Sequence, residues 1–274
     1  MSAINSSIYE DIEISAETTT GKGDTLDLRL GVVKFDYFED LFSPTITARI
    51  LVASSGNATN KEGKVLETVY SGLPIRGGER VKINIAPNTK TNIPLKFDTP
   101  DTYLYVSNVS RQYSDGAKEI FTLDLVSREA ITNETSRLPE KYYRSVPISD
   151  TVKKIIETKL ASTIDDKNLD RTQNSYPFIG NLKTPFHTLV WLASKSIPEK
   201  GLPGYFFYQT KDGFNFRSIE SLIKGKSNPK FTYFERKFSQ SSRIIDTLDD
   251  TIISYNVSQN NDLLTKLMLG QFSS

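Results

Sequence analysis

Hydrophobic and polar residues alternate through the first half of the chain, which is the period-two pattern of half-buried β-strands. The apolar positions of three such segments are Leu26, Leu28 and Leu30; Ile46, Ala48, Ile50 and Val52; and Val81, Ile83 and Ile85. Each segment ends near glycine, serine or asparagine residues that favour turns. The pattern therefore predicts short strands, each with one face toward a core.

A hairpin is predicted around Ser114-Asp115-Gly116, because Asp-Gly between two β-rich segments is a strong turn signal. Its strands are 103–113 and 118–127. On the second strand Phe121, Leu123 and Leu125 point one way, and the residues between them point the other. About five or six short strands with glycine-containing turns are typical of a small barrel or sandwich. We assign this mainly-β, tube-like barrel domain to residues 1–132.

The hydrophobic period then changes from two to that of a helix. With Ser149 as its N-cap, one amphipathic helix carries Val152, Ile155, Ile156 and Leu160 on one face. A second helix begins with Thr184 as N-cap and Pro185 at the first position, and Pro198 ends it. The predicted apolar stripe of the second helix is Phe186, Leu189, Val190, Ala193 and Ile197.

An aromatic hairpin follows these two helices. Tyr205 to Tyr208 and Phe214 to Phe216 flank the turn Lys211-Asp212-Gly213, and 218–224 has the pattern of a short helix. These elements form an α+β domain over residues 133–226. The segment 227–274 is again strand-forming and is predicted to begin a second barrel. The predicted fold class is therefore α+β.

Composition excludes several kinds of chemistry. The 34 basic and 33 acidic residues nearly balance, so charge gives no reason to expect nucleic acid or an anionic membrane as a partner. The chain has no cysteine and one histidine, His187, which we interpret as a partly buried helix residue. No apolar segment reaches the roughly 18 residues that indicate a membrane span, so stable membrane insertion is not expected.

Adjacent carboxylates are the remaining catalytic candidates. The pairs Glu39-Asp40, Asp165-Asp166 and Asp249-Asp250 are neighbours in sequence. Neighbouring side chains point in different directions on a strand or helix, so adjacency alone does not build an acid–base pair. The glycine-rich turns are too short for phosphate-binding loops. We predict no catalytic, cofactor-binding or metal site, and the protein is not expected to be an enzyme.

A specific succession of elements lies in the second domain. The helix PFHTLVWLASK at 185–195 is followed at 204–219 by GYFFYQTKDGFNFRSI, which is an aromatic strand, an Asp-Gly turn and a Phe-x-Phe strand. This succession resembles the baseplate hub proteins of contractile-tailed phages (myoviruses). The stretch 37–52 resembles the opening of that family's first tube-like barrel, and 254–264 resembles the beginning of its second. The N-terminal part of type VI secretion spike proteins is similar as well.

The resemblance implies a structural protein of the virion, located in the tail baseplate and assembled in the host cytoplasm. Hub subunits of that family form a torus-shaped homotrimer. Two similar barrels in each subunit give a pseudo-sixfold ring, so the expected partners are the tail tube protein, the trimeric spike protein and other baseplate subunits. Nucleic acid is expected only to pass through the lumen. This chain ends before a second barrel could close, which downstream residues missing from the sequence would explain.

Barrel-rim strands are the expected contacts of such a ring. The residues we assign to the ring strands are Thr45, Ile46, Ile50, Val52, Tyr103, Tyr105, Phe121 and Leu123. Two other functions stay open on the sequence. One is a carbohydrate- or receptor-binding β-domain of a phage tail, which would be a monomer with ligand affinity. The other is a tail-associated cell-wall hydrolase that uses Glu39 or Asp40.

Overall fold

The computed structural model describes residues 8–16, 25–54, 58–59, 65–66, 75, 77–87, 94–115, 118–200, 203–225, 232–233 and 251–252. The chain divides into two units. The larger unit is Ser6–Gly225, and the smaller combines Met1–Asn5 with Lys226–Ser274. Nearly all the described helices and strands belong to the larger unit.

An antiparallel sheet of eight strands dominates the first half of the larger unit. Its strands are β1 (Ile8–Ser15), β2 (Thr25–Asp27), β3 (Val32–Phe38), β4 (Thr47–Ser54), β7 (Arg80–Ala86), β8 (Leu95–Phe97), β9 (Leu104–Asp115) and β10 (Lys118–Ser127). The short pair β5 (Ala58–Thr59) and β6 (Val65–Leu66) forms a separate ribbon. Around the main sheet the order is β2-β1-β7-β9-β10-β4-β3, and β8 pairs with β7.

The predicted alternation of side chains is confirmed on β4, β7 and β10. Every second residue of these strands is buried in one hydrophobic core, which includes Ile46, Ala48, Ile50, Val52, Val81, Ile83, Phe121, Leu123 and Leu125. The predicted hairpin is also confirmed, because Asp115 on β9 pairs with Lys118 on β10. Apolar residues on one face exclude water from the inside of the sheet, and the sheet curls around them.

A short connection draws the two edges of the sheet together. β2 and β3 are the edge strands, yet only residues 28–31, including the 3₁₀ turn Arg29–Gly31, separate them in the chain. Leu28 N donates to Ile12 O of β1 at 2.8 Å, and a Cβ atom on Gly31 would lie 2.8 Å from Ala53 O of β4. The turn therefore contacts strands from both ends of the sheet, and the sheet is barrel-like.

Side chains from strands that are not paired also meet inside the barrel. Tyr37 on β3 contacts Phe97 on β8, with ring centroids 5.4 Å apart. Phe97 is fully buried, and Phe35 of β3 also packs against the core. The turn therefore connects the two edges of the sheet, while Tyr37 and Phe97 pack within the barrel. In the described part of the chain, no backbone pairing joins β3 to β8.

The second half of the larger unit combines helices with small ribbons. The helices are α1 (Arg128–Thr135), α2 (Ile148–Lys159), α3 (Pro185–Lys195) and α4 (Ile219–Lys224). The strands are β11 (Lys141–Tyr142), β12 (Phe178–Ile179), β13 (Tyr205–Thr210) and β14 (Gly213–Ser218). The predicted aromatic hairpin and the short helix after it are confirmed as β13, β14 and α4, with Ser218 as the N-cap of α4. The α+β fold class with a barrel-like first part is therefore confirmed.

A second hydrophobic core lies between α2, α3 and the hairpin. Phe186 of α3 packs against Phe207 and Phe214, with ring centroids 6.2 and 6.1 Å away. Phe207 and Phe214 stack on each other at 5.3 Å. Aromatic pairs in such geometry add about 0.5–1.5 kcal/mol beyond the burial of their area. The aromatic residues of the hairpin are thus largely core residues.

Polar residues of α1 join the two halves, although the sequence pattern did not predict this helix. Asn133 Oδ1 accepts a hydrogen bond from Phe186 N at 2.7 Å, and so it satisfies a free backbone donor in the first turn of α3. Glu129 Oε2 accepts from Gln209 Nε2 at 3.1 Å, and Gln209 Oε1 accepts from Ile46 N at 3.3 Å. These bonds link the barrel, α1 and the aromatic hairpin.

Some local predictions were wrong. Leu30 is fully exposed in the 3₁₀ turn and does not share the buried face of Leu26 and Leu28. Helix α2 begins at Ile148 after Pro147, so Ser149 is not its N-cap. Helix α3 spans residues 185–195, so it ends before Pro198, as predicted.

The predicted stripe of α3 was partly wrong. Val190 and Ile197 are each 44% exposed, whereas Leu192, which was not assigned to the stripe, is fully buried. Thr184 is the N-cap with Pro185 at the start of the helix, as predicted, but the Thr184 side chain makes no cap hydrogen bond. His187 is exposed, not partly buried.

Little of the smaller unit is described. Its strands β15 (Thr232–Tyr233) and β16 (Thr251–Ile252) pair in parallel. The rest of the predicted second barrel, including the stretch 254–264 and the pair Asp249-Asp250, lies outside the described residues. That barrel stays a prediction. Among the helices that the structure describes, none is long and apolar enough to cross a bilayer.

Candidate assembly surface

β3 is one of the two edge strands of the main sheet. β3 pairs with β4 on one side, and no strand within the described ranges pairs with it on the other. An edge strand presents backbone N–H and C=O groups that a strand from another chain can pair with. β3 is seven residues long, whereas β2 at the opposite edge has three. β3 is therefore the better template for added pairing.

Apolar side chains lie along this edge. A β-bulge between Val32 and Lys34 turns Val33 outward, where it is 61% exposed. Phe38, at the end of the strand, is 50% exposed. Phe42, in the loop that follows, is 77% exposed and contacts Phe206 edge to face at 5.4 Å. A protein that paired with this edge would cover these apolar side chains.

The outward face of the sheet is polar. Cross-strand register aligns Asp36, Arg49, Asp124 and Asn108 on four neighbouring strands. Arg49 Nε donates to Asp124 Oδ1 at 2.8 Å, and Asn108 Nδ2 donates to Asp124 Oδ2 at 3.2 Å. The hydrogen bond from Arg49 to Asp124 raises the pKa of Arg49 above the ordinary value of an arginine. This polar row suits a wall that stays in contact with water.

Glu39 attaches the aromatic hairpin to the barrel. Its Oε1 atom accepts hydrogen bonds from Tyr37 Oη and from Lys211 N, both at 2.7 Å. Burial raises the pKa of Tyr37, so its hydroxyl stays protonated and donates. Asp40 Oδ1 accepts from Phe42 N at 2.9 Å and orders the loop. Both carboxylates of this pair therefore have structural partners and do not converge on a shared site.

A cleft of about 290 Å³ lies between the barrel and the hairpin. Four carboxylates line it: Asp101, Glu129, Asp165 and Asp212. Asp101 pairs with Arg128 at 3.0 Å, Asp165 pairs with Lys167 at 2.9 Å, and Glu129 is hydrogen-bonded to Gln209. His187 is not among the lining residues. The cleft offers hydrogen-bonding groups, and three of its four carboxylates already have partners.

Within the described part of the chain, no group of three histidine, cysteine, aspartate or glutamate side chains is arranged to hold a metal ion. Asp165 and Asp166 form ion pairs with two different lysines. Asp166 contacts Lys153 at 2.8 Å, and Asp165 contacts Lys167. The hydrogen bond from Lys153 also lowers the pKa of Asp166. These carboxylates act as ion-pair partners on the surface.

The residues that the sequence assigned to ring strands lie on β4, β9 and β10 or directly before these strands. Phe121 pairs with Val52 and Leu123 pairs with Ile50 across β10 and β4. Five of the eight side chains are buried in the core: Ile46, Ile50, Val52, Phe121 and Leu123. Thr45, Tyr103 and Tyr105 are half-buried. Buried side chains hold the sheet together, so any contact with a neighbour falls to the residues between them. The role of these strands in a ring stays a prediction.

The exposed residues at the edge, Val33, Phe38 and Phe42, were not identified from the sequence. A hydrophobic residue that points outward has the same pattern as one that points inward until the edge of the sheet is known. The bulge at Val33 adds to this difficulty because it shifts the alternation by one residue. A run of aromatic residues at the end of a strand was the only available signal.

No known protein family matches the sequence, and no curated protein matches it. Solved structures with a similar fold include a tail protein from Neisseria meningitidis MC58, at 12% identity and a TM-score of 0.47, which covers 84% of this chain and 56% of its own. Another is the 43 kDa tail protein of prophage MuSo2 from Shewanella oneidensis, at 14% identity and a TM-score of 0.45, covering 77% and 52%.

A third similar structure is a component of the type VI secretion system of E. coli, described as similar to the bacteriophage T4 tail proteins gp27 and gp5. Its identity is 12% and its TM-score is 0.42, and the match covers 70% of this chain and 46% of that one. The chain thus spans about half the length of each of these three proteins.

Proposed function

We propose that this protein is a structural subunit of a phage tail, the baseplate hub that forms a trimeric, pseudo-sixfold ring between the tail tube and the trimeric spike. The observation that carries the proposal is the long edge of β3, which bears the exposed apolar residues Val33 and Phe38. The sequence resemblance to phage hub proteins supports the same function. Its place is the tail baseplate of the virion.

The ring would form by continuation of the sheet from one subunit to the next. A strand of the neighbour pairs with β3, and apolar contacts at Val33 and Phe38 exclude water from the new hydrogen bonds. Main-chain pairing gives affinity, and the side chains fix the register. Permanent interfaces of this kind commonly bury more than about 2,000 Å². The threefold symmetry and the second barrel come from the resemblance.

The polar row of Asp36, Arg49 and Asp124 would then face a water-filled channel or the solvent around the ring. A wall with paired charges of both signs gives DNA in transit no strong electrostatic attachment. The attached α+β part would brace the barrel, because Glu39 and Gln209 connect the hairpin to the loop and strand next to β3. Neither role needs a reactive group.

The test is the mass of the purified chain in solution, measured by light scattering over a wide range of concentration, followed by negative-stain imaging. We expect a trimer and a ring with threefold symmetry. A monomer at every concentration would contradict the hub. If that monomer bound glycans on an array, the receptor-binding function would replace it.

A further inference from the structure

The cleft between the barrel and the aromatic hairpin presents both apolar and polar groups. Its lining combines the buried apolar side chains Ile46, Phe97 and Phe214 with the more exposed polar side chains Ser162, Thr163 and Asp212. Its volume of about 290 Å³ is close to the lower end of the range of about 300–1,000 Å³ that small-molecule pockets occupy. A ligand in this cleft would therefore be small and would meet carbon as well as hydrogen-bonding groups.

Most of the charge in the cleft is already neutralised. Arg128 Nη1 donates to Asp101 Oδ1 at 3.0 Å, and Arg128 Nη2 donates to Ala161 O at 3.0 Å. Asp165 pairs with Lys167 at 2.9 Å. The guanidinium group therefore has partners on two sides, which leaves it little capacity for an anionic ligand. The paired carboxylates in turn attract a cation less strongly than free ones would.

The paired carboxylates still have free acceptor sites. An ionised carboxylate offers about four lone-pair sites for hydrogen bonds. In the part of the chain that the structure describes, the second oxygen of Asp101 and that of Asp165 accept no hydrogen bond. A carboxylate that is neutralised and held in place, with a free oxygen, suits a neutral O–H donor better than a second cation.

Three more polar groups of the lining are available to a ligand. They are the carboxylate of Asp212 and the hydroxyls of Ser162 and Thr163, which make no side-chain hydrogen bond or ion pair with any described residue. Asp212 lies in the turn of the aromatic hairpin, whereas Ser162 and Thr163 follow α2, so these groups come from two different walls. Hydroxyls donate and accept, so the cleft offers both kinds of hydrogen bond.

We propose that the cleft binds a neutral sugar unit of a glycan. Hydroxyls of the sugar would donate to Asp101, Asp165 and Asp212. Other sugar oxygens would bond with the hydroxyls of Ser162 and Thr163, and the C–H groups of the ring would face the apolar part of the lining. The small volume suits the end of a glycan better than a long stretch of it. This binding function goes beyond the proposed hub and does not depend on ring formation.

Three other ligands fit less well. A metal ion needs converging ligands, but Asp101 and Asp165 pair with different cations, and none of the described residues form a group of three that could hold a metal. A phosphate would meet carboxylates, while Arg128 already has partners. An extended peptide needs a row of backbone groups to pair with, and a short cleft with a hairpin turn as one wall does not supply such a row.

The test begins with the purified full chain on a glycan array. We expect signals from glycans that end in uncharged hexoses. The corresponding monosaccharide or disaccharide is then titrated, and saturation-transfer NMR reports which of its protons contact the protein. The dissociation constant should change by less than about twofold between about 50 and 500 mM salt, because salt screens attraction between charges and the ligand has none.

Two variants place the sugar in the cleft. Asp212→Ala removes an acceptor from an exposed turn, and because the φ angle of Asp212 is not positive, alanine can keep the turn. We expect it to weaken the sugar at least about fivefold. Thr163→Trp fills the cleft from an exposed position and should abolish measurable binding. The matched control, Glu157→Ala, removes an exposed carboxylate of α2 outside the cleft and should leave binding unchanged.

Three outcomes would overturn the proposal. One is the absence of binding to any glycan on the array. Another is binding only to carboxylated, sulfated or phosphorylated glycans, with an affinity that falls as salt is added. The third is full binding by Thr163→Trp, which would place the sugar elsewhere. The oligomeric state should be the same with and without sugar and in every variant, so failure of this proposal and failure of the ring are distinguishable.

Discussion

Lys211 N lies 2.7 Å from Oε1 of Glu39, although the two residues are far apart in the sequence. The same oxygen accepts the Tyr37 hydroxyl. The loop after β3 and the turn of the aromatic hairpin are thus fixed to each other by one carboxylate oxygen. Any change at Glu39 acts on the connection between the barrel and the α+β part.

Glu39→Ala should lower the free energy of unfolding by about 1–2 kcal/mol, because it leaves two donors without their acceptor. Glu39→Gln should cost less, since an amide oxygen can accept both bonds. The measurement is urea denaturation. Glu157→Ala, at an exposed site on α2, is the control and should change stability by no more than about 0.5 kcal/mol. Equal effects of Glu39→Ala and Glu157→Ala would show that the connection contributes nothing.

The ring contact between Tyr37 and Phe97 makes a second prediction. Phe97→Ala should destabilise the protein by about 3–5 kcal/mol, because Phe97 is fully buried in the core of the barrel and its removal leaves a cavity. Phe38→Ala changes a half-exposed phenylalanine of β3 and should cost much less. Thermal unfolding of both variants compares the two sites. Similar losses would mean that Phe97 contributes no more to the core than an exposed phenylalanine does.

The ion pair of Glu140 with Lys159 gives a pH-dependent prediction. The hydrogen bond from Lys159 lowers the pKa of Glu140 below its ordinary value of 4.5. The stability it contributes is present above pH 4.5 and is lost as the pH falls through the lower pKa of the folded state. Glu140 is 44% exposed, so the contribution at neutral pH is only about 0.5 kcal/mol.

Glu140→Gln should therefore lower stability at neutral pH and have no effect in strong acid. The control is the same substitution in a Lys159→Gln background, where the difference between neutral and acid pH should disappear. The midpoint of denaturant unfolding at several pH values measures the effect of Glu140→Gln in both backgrounds. A Glu140→Gln effect that grows as the pH falls would have the wrong sign for this pair.

The proposed ring makes a prediction at Val33. Val33→Lys places a charge at the bulge of β3, and charged residues on an edge strand oppose pairing with a neighbour. The concentration at which the trimer is half dissociated should rise at least about tenfold, which for a monomer–trimer equilibrium is a change of about a hundredfold in the dissociation constant, or about 2.8 kcal/mol. Light scattering measures this. Val146→Lys, at an exposed valine of the α+β part, should leave the mass unchanged.

Much of the barrel was predictable because its strands alternate with period two. Ile46, Ala48, Ile50 and Val52 follow this rule without interruption, and all four are buried. Leu30 follows the same pattern but lies in the 3₁₀ turn that joins the sheet edges. Its exposure depends on the curvature of the whole sheet, which a local pattern does not contain.

The helices show what local sequence signals do not predict. Ser149 has the chemistry of an N-cap, but its backbone and hydroxyl instead pair with Thr172, at 3.0 and 3.5 Å. Helix α1 was missed because its buried residues include Glu129 and Asn133, which are polar. Their partners, Gln209 and Phe186, are distant in sequence. Burial that depends on long-range hydrogen bonds leaves no periodic apolar pattern.

The assembly surface was the least predictable part. The ring residues named from the sequence were chosen for strand character, and most of them are buried. Val33 and Phe42 stand out only when the neighbours of β3 are known. A sequence shows which residues are apolar, whereas the position of a strand at an edge is a property of the complete sheet.

The unpaired edge of β3 has a consequence for the amide hydrogens of the barrel. On the unpaired side of β3, alternate N–H groups point to solvent, so deuterium should replace their protons quickly, while amides bonded to β4 should exchange slowly. A neighbouring strand would protect the first set and leave the second unchanged. The hydrogen-exchange rates of the β3 amides would therefore show whether a strand of another subunit has paired with this edge.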